Sequence, residues 1–156
     1  ELSQINSKDM VRSKTIYQII PKIIGLLFII MFVYAATSKL LAVEQFKIQL
    51  GKSPFISAYA NWMAWVVPLT ELLIAGLFLF QKCLLTAFYG SFTLMTLFTI
   101  YIFLVLNFSD SIPCACGGIL STLGWRAHFV FNTGFILLAL IGIITIHKQK
   151  NFTIPK

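Results

Sequence analysis

The stretch IYQIIPKIIGLLFIIMFVYAATSKLL, residues 16–41, decides the fold. From Ile23 to Ala36 it holds no charged side chain, and Lys22 and Lys39 stand towards its two ends. A helix rises ~1.5 Å per residue, so ~20 residues cross the ~30 Å hydrocarbon core of a bilayer. The stretch is long enough to do so, and too long for the apolar segment of a signal peptide. It reads as a first transmembrane helix.

Three more such runs follow. The second extends from about Ala60 to Phe80 and opens with Trp62 and Trp65, residues suited to a membrane–water boundary. Gln81-Lys82 makes a short turn, and the third run covers about Leu84 to Leu106. A loop over Asn107 to Gly124 leads to the last, about Trp125 to Ile146. Between the first two runs, the stretch Glu44 to Lys52 alternates polar residues with Phe46, Ile48 and Leu50, which suggests a short helix lying at the interface. The expected fold is an all-α membrane protein, a four-transmembrane-helix bundle with a short interfacial segment after helix 1. The expected organisation is a polar N-terminal segment over 1–15, the transmembrane domain over 16–146 and a basic tail over 147–156.

Composition agrees. Of the 156 residues, 58% are hydrophobic, 11% are charged and 15 are Phe, with a mean hydropathy of +0.88. Soluble domains carry about 25% charge. The net charge of +7 raises the question of nucleic acid, but the basic residues flank apolar runs and form no patch, so the lipid bilayer is the expected partner. Their distribution also orients the chain. Lys8, Arg12, Lys14, Lys22, Lys82, Lys148, Lys150 and Lys156 fall on one side, against Lys39, Lys47, Lys52 and Arg126 on the other. The larger set marks the cytoplasmic side, which puts both termini in the cytoplasm and the 107–124 loop outside. Small residues at Ala35/Ala36, Ala75/Gly76, Ala87/Ser91 and Ala139/Gly142 offer notches where helices can approach closely.

Chemistry concentrates in Ile112-Pro113-Cys114-Ala115-Cys116-Gly117-Gly118. Outside the cytoplasm disulfides persist. A bond between Cys114 and Cys116 is geometrically accessible but closes a tiny ring, and strained disulfides are the more oxidising ones. Pro113 and the two glycines provide the turn that such a ring requires. The plainer alternatives are two thiols at a helix end, or half of a metal site. A structural zinc takes about four ligands, and His128 is the one further donor near by in sequence, so no metal is expected. Cys83 lies beside Lys82, a membrane thickness away, and reads as an inert thiol. His128 and His147 are ~28 Å apart along one helix and cannot share a haem iron.

Glu71 is the other informative residue, deep in the second span and three residues after Pro68. A carboxylate at that depth costs ~2.5 kcal/mol or more and is as a rule paired or functional. Pro68 removes a backbone donor and can kink the helix beside it. Lys39 is the nearest candidate cation if it leans inward, with Tyr34, Thr37 and Ser38 as polar neighbours, and Asn132 in the last span is a further candidate. A buried structural pair and a role in handling protons or ligand both remain open here.

Ser38-Lys39 closing the first span, Pro68-Leu69-Thr70-Glu71-Leu72 in the second and Cys114-Ala115-Cys116-Gly117 before the fourth resemble the MauE branch of the DoxX-like membrane proteins, over about Ile16 to Ile146. The resemblance implies a redox-associated four-helix bundle in the cytoplasmic (inner) membrane of a bacterium. It implies thiol–disulfide chemistry beside a thioredoxin-like protein during maturation of an exported partner, with Cys114 and Cys116 as the reactive pair and Glu71 as the membrane carboxylate. One departure stands out: Gly117 occupies a position where many relatives carry an aromatic residue. Two functions follow as expectations. In one, the chain is a thiol–disulfide oxidoreductase component, with a quinone as candidate electron acceptor within the bundle. In the other, it is a non-catalytic subunit or assembly factor of a larger membrane complex, and the cysteines merely lock a loop.

Overall fold

The computed structural model describes residues 2–53, 56–108 and 125–153. All regular structure among them is helical. Helix α1 (Leu2–Leu41) contains Pro21, and α2 (Val43–Gly51) follows at once. A 3-10 turn at Ser57–Tyr59 leads into α3 (Ala60–Leu77), a second at Gln81–Cys83 leads into α4 (Leu84–Phe108), and α5 spans Trp125–Thr153. Four segments are long and apolar enough to cross a membrane: Thr15–Leu41, Ser57–Leu77, Gln81–Leu104 and Arg126–Gln149. The four expected spans are all there.

The edges differ in instructive ways. The polar N-terminal segment is helical from Leu2, continuing α1 without a break. No Gly or Pro precedes Pro21, so nothing in the local chemistry ends the helix sooner. The second span stops at Leu77, three residues short of the expected Phe80. There the chain closes in tight turns, with Leu79 N–H donating to the Gly76 carbonyl and Phe80 N–H to that of Leu77, and Phe80 itself is extended.

The expected short segment is helix α2, and its position is set by packing. The chain leaves α1 at Ala42 (φ −118°, ψ 38°), and Phe46 and Leu50 turn inward against Ala64 of α3, with Val43, Ala60, Met63 and Val67 around them. The opposite face carries the exposed Lys47–Glu44 pair at 2.7 Å. Helix α2 thus covers the first turns of α3 at the end of the bundle where α1 finishes, called here the loop end. The Gln81–Cys83 turn marks the other end, called the terminal end.

In the bundle, α1 packs along α3 and α5, and α4 packs along α5 and more lightly against α3. Phe residues from three spans and from the end of α3 meet around one ring. Phe28 is fully buried; it stacks on Phe78 at 5.6 Å and meets Phe88 and Phe135 edge-on at 6.1 and 5.2 Å. Aromatic pairs in these geometries contribute about 0.5–1.5 kcal/mol each beyond burial. The expected notches hold for Ala35, Ala36, Ala75, Ala87, Ser91 and Ala139, all buried, and for Gly142, where any Cβ would run into the Phe88 ring. Gly76 is a correction: a Cβ there would meet open space, so this half-buried glycine makes no close helix approach.

Candidate functional site

Lys39 stands two residues from the end of α1, yet its ammonium does not reach for the near boundary. Side chains on a helix lean towards its N-terminus. For α1 that direction leads into the bundle, and Lys39 Nζ lies 3.4 Å from the carbonyl oxygen of Ala35, one turn below. This carries the charge back from the helix end towards the bundle interior. There Nζ donates to Glu71 Oε1 at 2.7 Å, an ion pair with side-chain exposures of 10% and 2%. The Phe98 ring of α4 closes a third side, its centroid 5.9 Å from Nζ.

Local sequence on α3 prepares the carboxylate. Pro68 is fully buried within the helix and supplies no amide to the buried carbonyl of Ala64. Glu71 follows by three residues and so lies on the same side of α3, facing the core. Thr70, its neighbour, turns its hydroxyl back to the Val66 carbonyl at 2.7 Å and takes no part.

Helix α5 contributes from across the bundle. His128 is half-buried and lies within electrostatic reach of Lys39. Asn132, one turn further along, is only 2% exposed. Three buried polar atoms have no hydrogen-bond partner among the described residues: Ser53 Oγ just past α2, and Glu71 Oε2 and Asn132 Nδ2 within the bundle. An unmade bond of this kind costs about 1–3 kcal/mol. An interior that tolerates two holds spare donor and acceptor capacity.

The structure therefore brings together Lys39 and Glu71, as the sequence suggested. It buries Asn132 in the same bundle without bonding it to that pair. Phe98 and His128 join the pair's surroundings, and no sequence signal marks either, since an aromatic in a Phe-rich span and a His near a span's end are unremarkable alone. Cys114 and Cys116 lie outside the described residues. Cys83 is a half-buried free thiol at the Gln81–Cys83 turn.

A bundle of four apolar spans with one buried ion pair among the described residues defines a small polytopic membrane protein. The chain belongs to the MauE family: the family profile, described as methylamine utilisation protein MauE, matches residues 17–145. No curated protein and no solved structure matches it.

Proposed function

We propose that this MauE-family protein is a membrane component of thiol–disulfide exchange, with Cys114 and Cys116 as its exchanging pair. The Cys114-Ala115-Cys116 spacing, in the connection between α4 and α5, carries this reading. In the exchange a thiolate of one protein attacks a disulfide of the other, a mixed disulfide forms, and the second thiol displaces it. Two electrons move with the sulfurs, one protein leaving as the dithiol and the other as the disulfide, so the exchange needs no further oxidant. The partner is an exported thiol protein of the thioredoxin-like kind. The family's description, methylamine utilisation protein MauE, supports a setting in a methylamine utilisation system. The membrane is the bacterial cytoplasmic membrane, with both termini inside and the cysteine connection outside, as the Lys/Arg distribution favours. A quinone would serve as terminal acceptor for a net oxidation, with Lys39, Glu71 and Asn132 as the interior groups able to meet a carbonyl or pass a proton.

The alternative, a non-catalytic subunit, gains support from the absence of any folded domain besides the four-span bundle among the described residues. One experiment separates the two. Cys114→Ser and Cys116→Ser are each expressed with the native partners, and adducts are sought on non-reducing gels. The exchange reading expects one of them to trap a reductant-sensitive adduct. If neither does, and the double serine variant retains full function, the cysteines are structural and the subunit reading takes its place.

A further inference from the structure

At the terminal end, the turn between α3 and α4 is docked on α1 through Gly25. A Cβ there would sit 3.0 Å from Phe78 Cδ1 and 3.8 Å from Leu84 Cδ1, so side chains on both flanks of the turn close over this one glycine. Lys22 precedes Gly25 by three residues, which on a helix places it one turn away and on the rim of the same face. Lys82 occupies the turn itself. Both lysines are exposed, and no ion pair engages either among the described residues.

Their surroundings are apolar and equally open. Leu79 and Phe80, beside Lys82, are 70% and 62% exposed, and Ile23 and Leu26, beside Lys22, are 55% and 56% exposed. The nearest acidic residue along the sequence on this side is Asp9, well back in α1; Glu44 is engaged by Lys47 at the loop end and Glu71 by Lys39 inside the bundle. Two unpaired cations held beside one docked turn, with greasy side chains spreading away from them, match an amphiphile with a negative head. A free anion would use the lysines and leave the apolar part idle.

We propose that the α1 rim and the α3–α4 turn form a binding site for an anionic phospholipid, whose phosphate lies between Lys22 and Lys82 and whose acyl chains run over Ile23, Leu26, Leu79 and Phe80. Basic pockets between transmembrane helices hold anionic headgroups by this combination of charge and apolar contact. The site is independent of the cysteine chemistry and stands or falls separately from it.

The test uses the full chain in detergent, with native mass spectrometry to count retained lipid when phosphatidylglycerol or phosphatidylcholine is titrated in. The wild type should retain phosphatidylglycerol preferentially. Lys22→Gln with Lys82→Gln should weaken that retention on the order of thirtyfold, at about fivefold per lysine near a headgroup, and leave phosphatidylcholine unchanged. Lys47→Gln with Lys52→Gln removes the same charge at the loop end and should keep the preference. Equal loss in both double variants would reduce the effect to net charge and overturn the site, as would unchanged retention in the first. Melting of both variants in lipid-free detergent confirms that each is folded when compared.

Discussion

Breaking the Lys39–Glu71 pair should destabilise the bundle strongly, and removing both charges should restore much of the loss. The carboxylate is 2% exposed and the ammonium 10%, and they meet at 2.7 Å. Neither charge has water to fall back on. In Glu71→Gln the ammonium can still donate to the amide oxygen and to the Ala35 carbonyl at 3.4 Å, and lie against the Phe98 ring at 5.9 Å, but it faces no opposite charge. In Lys39→Met the carboxylate is left with both oxygens unpartnered among the described residues, since Oε2 already is. Stranding one partner of a buried pair costs ~3–5 kcal/mol, while replacing both together is often near neutral. The double variant should therefore melt well above either single one, with a coupling energy on the order of 2 kcal/mol or more. The assay is thermal unfolding of the four proteins in one detergent, followed by size-exclusion chromatography with fluorescence detection. Single-variant losses that simply add in the double variant would refute the coupling. A Glu71→Gln protein that melts like wild type but is inactive would refute the structural role and leave proton handling by Glu71.

Gly142→Ala should cost about 1–3 kcal/mol, because the new methyl collides with the buried Phe88 ring; Gly76→Ala, facing open space, should melt at or slightly above wild type, and equal behaviour of the two would contradict the packing of α5 on α4. Asn132→Leu removes an amide nitrogen that has no partner among the described residues, so the melt should hold or rise. Lost activity at unchanged stability would then mark Asn132 as a working group, whereas a large loss of stability would show that its amide is bonded after all. Phe28→Ala should cost ~3–5 kcal/mol, since that ring joins Phe78 at the end of α3, Phe88 of α4 and Phe135 of α5, and a milder loss would mean the core collapses into the space.

Length, apolar runs and their punctuation were enough to read four spans and the short helix after the first. A membrane sets a length requirement that a linear sequence can meet or fail without reference to anything else. The same economy singled out Glu71 and Lys39, because charges inside apolar runs are costly and must be accounted for. What each helix shows its neighbours was not readable in this way. In a soluble helix polar residues mark the outer face. Here lipid is as apolar as the core, so Leu26, 56% exposed, and Phe28, fully buried, differ by nothing the sequence can express. Tertiary packing alone decided that Phe28 is the centre, that Gly142 is a close contact while Gly76 is not, and that Phe98 lies against the Lys39 ammonium. It also gave Lys39 its partner: the lean of a helical side chain towards the N-terminus carries the ammonium into the bundle, and the carboxylate of Glu71, brought alongside by α3, makes that position favourable.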